Sequence, residues 1–233
     1  MDYRNRHVII TGGTGALGAA VVSALLEAGA VCHVPYLDEQ AVQRFPHRNT
    51  ERVKLVGGCN LADEAGVARA FAGIEDLWAA VHIAGGFAMG PLGETGKAGL
   101  MAMIETNLVS CYLCCGAAVR AMTKRGKGGR IVNIAARQAL EPRTGAGMTA
   151  YTVSKAGVAA LTEALAQEVA DQGILVNAVV PSIMDTPANR GAMPGANYDA
   201  WPKVEEVAST ILFLASPENR VTRGALVSAF GRT

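Results

Sequence analysis

The strongest constraint on the fold is an alternation, kept along the whole chain, of short β-branched apolar runs with segments of helical period. The predicted strands are His7–Thr11, Val31–Val34, Arg52–Val56, Leu77–Ile83, Arg130–Ile134, Leu175–Val180 and Ala225–Ala229. The predicted helices are Leu17–Ala28, Asp38–Phe45, Asp63–Phe71, Gly99–Thr123, Tyr151–Asp171 and Val204–Ala215. Strands separated by helices imply a parallel sheet covered on both faces. Right-handed crossovers then predict an α/β fold with a doubly wound, Rossmann-type sheet of about seven strands.

Composition narrows the class of protein further. Hydrophobic residues make up 50% of the 233 residues and charged residues 18%, which excludes intrinsic disorder. The net charge of +1 argues against a nucleic-acid partner. There is no signal-peptide pattern at the start and no uninterrupted apolar run of membrane-spanning length, so we expect a cytoplasmic protein without a membrane partner. No linker divides the chain, which predicts one domain over residues 1–233 with a substrate loop at about 181–203.

Three of the five cysteines suggest either a metal or redox site or small core residues of a helix. Cys111, Cys114 and Cys115 crowd one apolar segment, but four ligands at zinc spacing are missing. They are therefore predicted to be small core residues of a helix, and no metal is expected. His82, at a buried strand end, is interpreted as a core histidine whose hydrogen bonds are satisfied.

A glycine-rich turn follows the first predicted strand and opens the first predicted helix. It contains the pattern G-x-G-x-x-G at Gly13, Gly15 and Gly18. A nucleotide pyrophosphate needs backbone N–H donors at close range and the positive end of a helix dipole, which favours glycine. Methyltransferases use similar loops, so the motif alone leaves that alternative open. The residues predicted to contact the cofactor here are Thr11, Gly12, Gly13, Thr14, Gly15, Ala16, Leu17 and Gly18.

The end of the second strand bears on the choice of cofactor. An acidic residue about 20 positions after the glycines is typical of NAD enzymes, but that place falls on Pro35 or Tyr36, and the nearest carboxylate is Asp38. No Arg or Lys follows directly to hold a 2′-phosphate. The expected cofactor is NAD(H) or NADP(H), with a slight lean to NAD(H) and a contact at Tyr36.

A tyrosine and a lysine stand one helical turn apart at the start of the second long helix. The i, i+4 spacing of Tyr151 and Lys155 places phenol and ammonium on one face. We expect the lysine charge to lower the tyrosine pKa from about 10, so that Tyr151 can exchange a proton during a reaction. The same ammonium can hydrogen-bond the hydroxyls of the nicotinamide ribose.

With the glycine turn and this pair, the chain resembles the short-chain dehydrogenase/reductase family over nearly its whole length. The resemblance implies that Asn107 completes a proton relay with Tyr151 and Lys155, and that the protein is a homodimer or homotetramer acting on a small molecule. It also implies further cofactor contacts at Asn60, Leu61, Ala84, Gly85, Gly86, Pro181, Met184 and Thr186.

The departure from the family pattern that matters is a missing serine. The resemblance places two serines after Ile134, one of them hydrogen-bonding the substrate carbonyl, where this chain has Ala135 and Ala136. Loss of such a donor is worth about 3 kcal/mol by analogy with oxyanion holes. Gln138, Arg137 and Thr149 are the available substitutes. Phe87 and Trp201 either stack on a flat substrate or pack as core and lid residues. The residues expected to meet the substrate are Ala136, Gln138, Phe87 and Trp201.

The predicted function is an NAD(P)H-dependent reductase in which Tyr151 donates the proton. Dihydropteridine reductases also lack the serine, and the stretch 185–190 is similar to theirs, so a quinonoid dihydropteridine-like acceptor is the leading expectation. A 3-oxoacyl or carbonyl (ketone) reductase, or an alcohol dehydrogenase, is the alternative. A catalytically silent NAD(P)-binding regulator is the rival from another class.

Overall fold

The computed structural model describes all 233 residues and contains one parallel sheet of seven strands. Its strand order, β3-β2-β1-β4-β5-β6-β7, is that of a doubly wound sheet. The strands are β1 His7–Thr11, β2 Val31–Pro35, β3 Val53–Val56, β4 Leu77–His82, β5 Gly129–Ile134, β6 Ile174–Pro181 and β7 Leu226–Ala229. All seven predicted strands are confirmed within one residue at each end, because buried parallel strands read as continuous apolar runs.

The chain forms nine α-helices, and the longer ones pack on the two faces of the sheet. They are α1 Ala16–Glu27, α2 Glu39–Arg44, α3 Glu64–Phe71, α4 Leu92–Met103, α5 Ser110–Arg125, α6 Arg137–Leu140, α7 Thr149–Glu168, α8 Pro187–Ala192 and α9 Val204–Ala215. The predicted helix at Gly99–Thr123 is in fact part of α4, a π-helical segment Ile104–Val109, and α5. The helices α6 and α8 were not predicted, since four and six residues are too few to show a helical period.

The sheet separates two apolar cores. On one face, α1 and α9 pack on the strands in a cluster of 25 buried residues that includes Val8, Leu25 and Ile211. On the other face, α5 and α7 contribute to a cluster of 18 buried residues that includes Met122 and Val158. Burial on both sides fixes the strands firmly, so their carboxyl ends can carry a rigid site.

The strand order reverses between β1 and β4, and this is where such sheets bind ligands. The two strands are joined at their carboxyl ends by a side chain, because the Thr11 hydroxyl accepts a hydrogen bond of 3.2 Å from the backbone N–H of Ala84. Thr11 is almost fully buried. This contact positions the loop after β4 directly beside the glycine turn.

One helical stretch, Leu92–Arg125, is long and apolar enough to cross a membrane by length and composition, with a mean hydropathy of 1.4 over its most apolar window. The stretch is not an uninterrupted apolar run, because polar residues such as Glu105 and Asn107 lie within it. Within the fold, 44% of that window is buried, and Cys115 and Met122 belong to the core under the sheet.

Candidate active site

The glycine turn between β1 and α1 forms one wall of the crevice. No side chain caps the helix, whose N-cap residue is Gly15. The N-terminus of a helix without a side-chain cap offers N–H donors and a positive dipole end to an anion. Gly15 and Ala16 are exposed, Thr14 is half-buried, and Leu17 packs into the core beneath. The turn therefore presents backbone, rather than side chains, to the crevice.

The four glycines of the turn are required for different reasons. Gly12 has a φ of +66°, and a Cβ there would lie 2.7 Å from the backbone nitrogen of Ala84. A Cβ on Gly13 would lie 2.8 Å from a methyl group of Val34, and one on Gly18 would overlap the carbonyl oxygen of Gly12. At Gly15 the nearest protein atom would be 3.4 Å away, an ordinary contact. Only at Gly15 does the protein itself leave room for a side chain, as expected where a ligand approaches the backbone.

The adenosine side of the crevice has no carboxylate at its expected place. Tyr36 is half-buried, and its hydroxyl lies close to Gly57, whose Cβ would stand 2.8 Å from it. Asp38 caps α2 by accepting a hydrogen bond of 2.8 Å from the N–H of Gln40. Asn60 is exposed, and its side chain accepts from the N–H of Ala62 at 3.2 Å within its own turn. Leu61 packs partly against the core.

Tyr151 and Lys155 lie on α7 at the carboxyl edge of the sheet. Lys155 is buried, and its Nζ donates a hydrogen bond of 2.8 Å to the carbonyl oxygen of Ile134 at the end of β5. The loop after β4 closes over it: a Cβ on Gly85 would lie 3.4 Å from this Nζ and 2.6 Å from Oδ1 of Asn107. Gly85 therefore allows the loop to approach both side chains.

The expectation that Lys155 lowers the pKa of Tyr151 is wrong for the protein without a ligand. Burial raises the pKa of the phenol to about 12, and no cation contributes a compensating shift. Burial also lowers the pKa of the Lys155 ammonium, to about 8. The physical reason is that desolvation disfavours the charged form of both groups, and Lys155 donates to a backbone carbonyl rather than to the phenol. Tyr151 is thus a neutral phenol with a proton to donate.

Asn107 lies in the π-helical segment, a type of distortion often found at functional sites. Its side chain accepts from the N–H of Gly86 at 2.9 Å and donates to the carbonyl of the same residue at 3.0 Å. It also donates to the hydroxyl of Ser154 at 3.0 Å, and Ser154 donates to the carbonyl of Tyr151 at 2.7 Å. Ser154 was not assigned a role from the sequence. A polar residue within the interior of a helix, directly before Lys155, was the available signal.

The acceptor side of the crevice is partly aromatic. Phe87 is 58% exposed, and its ring meets the Tyr151 ring edge-on with centroids 5.0 Å apart. Ala136 is buried and offers no hydroxyl. Of its possible substitutes, Arg137 is paired with Glu141 at 2.6 Å, whereas the half-buried Gln138 has no hydrogen bond from its side chain.

The loop after β6 contains α8 and borders the same crevice. Pro181 is the last residue of β6. In the loop after it, the Thr186 hydroxyl caps α8 by accepting a hydrogen bond of 3.2 Å from the N–H of Asn189. The side chain of Asn189 donates to the carbonyl of Met184 at 2.8 Å. Met184 and Thr186, two of the three cofactor contacts expected here, are therefore held by hydrogen bonds of the loop itself.

Asp185 and Arg190 of this loop pair with each other at 2.6 and 2.8 Å. Trp201 is only 8% exposed and packs against Tyr198, with ring centroids 5.0 Å apart. Its place is that of a packing residue, which leaves little of the ring for stacking on a substrate.

Comparison with known proteins gives one family. The family described as short chain dehydrogenase matches residues 6–196. Galactitol 2-dehydrogenase of Rhizobium johnstonii is 34% identical over 236 residues, covering 94% of this chain and 91% of that protein. The 3-oxoacyl-[acyl-carrier-protein] reductase FabG of Vibrio harveyi is 28% identical over 250 residues, with coverages of 99% and 98%. The solved structure of ElxO with NADP bound superposes with a TM-score of 0.87 at 26% identity, covering 97% and 98%. The chain therefore belongs to the short-chain dehydrogenase/reductase family of NAD(P)-dependent oxidoreductases.

Proposed function

We propose that this protein is an NAD(P)H-dependent reductase in which Tyr151 protonates the acceptor. The observation that carries the proposal is the neutral, half-buried phenol one helical turn from a buried ammonium, beside an uncapped glycine turn. The nicotinamide cofactor would supply the hydride. Its pyrophosphate would be held at the N-terminus of α1 and its ribose beside Lys155. Hydride addition to a C=O bond leaves an alkoxide and addition to a C=N bond leaves an amine-derived nitrogen anion. Such an anion is a stronger base than a phenolate, so proton transfer from Tyr151 is favourable even with a raised pKa.

Asn107 and Ser154 act in this proposal as positioning residues. They join the loop at Gly86 to the first turn of α7, so the loop over the crevice and the proton donor keep a fixed separation. A relay from Lys155 to solvent would pass beside Asn107, because both side chains border Gly85. Catalysis by proton transfer depends on such fixed distances.

For the acceptor we infer a flat, conjugated molecule of the quinonoid dihydropteridine type. The buried Ala136 offers no hydrogen bond to a carbonyl, and an electron-poor imine system needs less polarisation than a ketone. The exposed Phe87 supplies an aromatic surface beside Tyr151. The second candidate is a ketone or 3-oxoacyl thioester, favoured by the similarity to a 3-oxoacyl reductase and a polyol dehydrogenase. In that case Gln138 is the free donor nearest in sequence to the missing serine.

For the cofactor we infer weak discrimination between NADH and NADPH. The lean to NAD(H) has no support, since ElxO binds NADP and the end of β2 carries neither a carboxylate nor a cation. A carboxylate there would bind the ribose diol and repel a 2′-phosphate. Tyr36 does neither.

For the assembly we infer a homodimer formed through α5 and α7. These helices border a groove of about 830 Å³, lined mainly by apolar side chains. Tyr112, at its edge, is 62% exposed, and Gly116 and Ala164 leave the helix surfaces flat. In a homodimer, the α5 and α7 helices of a second copy would pack against this groove and cover Tyr112. Oligomers are common in this family. A homotetramer would need a second interface.

Replacement of Tyr151 by Phe removes the proton donor and keeps the ring that packs on Phe87. We expect turnover to fall by about 10² to 10⁴ with little change in NAD(P)H affinity. The measurement is steady-state oxidation of NADH and NADPH with a quinonoid dihydropterin and with a 3-oxoacyl thioester, alongside binding titrations. Tyr112→Phe is the matched control.

Full activity of Tyr151→Phe contradicts the assignment of Tyr151 as the proton donor. Faster turnover of the thioester than of the dihydropterin by the wild type contradicts the inferred acceptor class. Cofactor binding without any hydride transfer across a broad panel of carbonyl and quinonoid compounds would identify the silent regulator.

The buried ammonium of Lys155 predicts a particular dependence of stability on pH. Its pKa is lowered in the folded state, so between about pH 8 and 10 the unfolded chain binds more protons and the free energy of unfolding rises with pH. From pH 7 to 9 this contribution is about 1 kcal/mol. Urea unfolding of the wild type and of Lys155→Met at both pH values isolates it. An equal pH response in the two proteins would show that Lys155 does not titrate in this range.

Tyr36→Asp tests the cofactor inference. The new carboxylate repels a 2′-phosphate, so kcat/KM with NADPH is expected to fall at least about tenfold relative to NADH. The wild type is expected to use the two cofactors within about tenfold of each other. Tyr36→Phe serves as the control with no added charge. A wild-type preference well beyond that range, in either direction, would refute weak discrimination.

Tyr112→Asp tests the interface. A carboxylate buried without a partner at a dimer contact is strongly unfavourable, so we expect a monomer in size-exclusion chromatography with light scattering. The conservative Tyr112→Phe is expected to remain a dimer. Unchanged mass for Tyr112→Asp would place the contact elsewhere on the molecule.

A further inference from the structure

A compact group of polar side chains lies buried behind the candidate active site, between the sheet and α5. His82 ends β4, and Cys111 and Cys115 stand one turn apart on α5. Their ligand-capable atoms all lie within 4.8 Å of one another. The three residues are 3%, 5% and 1% exposed. None of them has a role in the proposed reaction.

Hydrogen bonds fix the orientation of the histidine. The Thr162 hydroxyl donates to the carbonyl of Val158 at 2.8 Å, so it accepts from Nδ2 of Asn133 at 3.0 Å. The amide of Asn133 must then present its oxygen to His82, whose Nδ1 lies 2.9 Å away. An amide oxygen can only accept, and Nδ1 therefore carries the ring hydrogen. It follows that Nε2 of His82 is unprotonated and has a free lone pair.

That lone pair has no partner. Nε2 of His82 is buried and has no hydrogen bond, which differs from the satisfied core histidine predicted from the sequence. A buried polar atom without a partner is costly and calls for an explanation. A neutral imidazole held through Nδ1–H with its other nitrogen free is the arrangement found in metal-ligating histidines. Cys111 and Cys115 add two soft ligands close to the ring. The Cys115 thiol lies 3.5 Å from Nδ1 of His82 and donates to Oδ1 of Asn133 at 3.4 Å, a hydrogen bond that is lost when the sulfur binds a metal as thiolate.

We propose that His82, Cys111 and Cys115 form a buried site for one thiophilic divalent cation of the Zn²⁺ class. On binding, two S–H bonds break and two metal–sulfur bonds form. Two protons go to solvent, and no group is oxidised or reduced. Two thiolates neutralise the divalent charge, so no net charge is buried. Bonds of about 2.0 to 2.3 Å require the ligand atoms to close in by about 1 Å from their present separations, and a fourth position stays open.

The sequence could not reveal this set, and it led to the expectation of no metal. Zinc motifs are recognised by ligands close together along the chain, but here the histidine comes from a strand and the cysteines from a helix packed on it. Only the register of β4 with β5, in which His82 lies opposite Asn133, aims the imidazole at α5. The site goes beyond the proposed reductase function and does not depend on it.

The experiment measures metal binding directly. Reduced protein is unfolded with a chelator present, refolded with Co²⁺ or Zn²⁺ because the site is buried, and freed of excess metal by gel filtration. The expected result is about one metal ion per chain, with thiolate charge-transfer and tetrahedral d–d absorption in the Co²⁺ form. Refolded protein without bound metal, or bound Co²⁺ without thiolate absorption, would overturn the proposal.

Variants locate the ligands. Cys111→Ala, Cys115→Ala and His82→Asn should each weaken binding at least about tenfold, the lower end of what loss of an outer partner alone costs at metal sites. His82→Asn keeps a donor for Asn133 and protects the fold. Cys114→Ala, on the same helix and equally buried, is the matched control and should bind as the wild type does. Equal loss in Cys114→Ala, or no loss in the three ligand variants, would also refute the site. Circular dichroism checks that each variant is folded.

Discussion

The buried ammonium of Lys155 is the group around which the carboxyl edge of the sheet is arranged. A buried ammonium needs hydrogen-bond acceptors from the protein, and the carbonyl of Ile134 supplies one at 2.8 Å. That contact ties α7 to the end of β5 and so fixes where Tyr151 stands. The loop after β4 can close over the same ammonium only because Gly85 has no side chain. Helix, strand and loop thus meet at one charge, which is placed where a doubly wound sheet binds its ligands.

How far the sequence predicts this arrangement depends on the kind of pattern that encodes it. Buried strands and the helix Val204–Ala215 have strong periods and were located within a residue. The short α8 has no readable period, and the π-helical segment around Asn107 looks like ordinary helix in the sequence. The glycine turn and the spacing of Tyr151 and Lys155 predict a shared site from local motifs. The sequence could not predict their pKa values, because these depend on burial by elements that are distant along the chain.

The residues around Ala136 determine how the missing hydroxyl affects the binding of an acceptor. The place is buried, and Arg137 beside it is committed to Glu141. A polar acceptor would therefore meet few donors on this side, whereas an aromatic surface is available at Phe87. The edge-on contact of Phe87 with Tyr151 couples the two: a ring that binds against Phe87 is also brought to the phenol proposed as its proton donor. In the proposed reaction, apolar contact and proton transfer would then act on one bound molecule.

The same packing that buries Lys155 also produces the polar group behind it. β4 ends in His82, and Asn133 lies one residue before the end of β5, on the side of the sheet covered by α5 and α7. Polar side chains there must find partners within the protein, and the chain through Asn133 and Thr162 provides them for all but one atom. Because a parallel sheet aligns its strand ends, a residue at the end of β4 cannot avoid this neighbourhood. The free nitrogen of His82 and the two thiols close to its ring are therefore a consequence of strand register, and their chemistry follows from that placement.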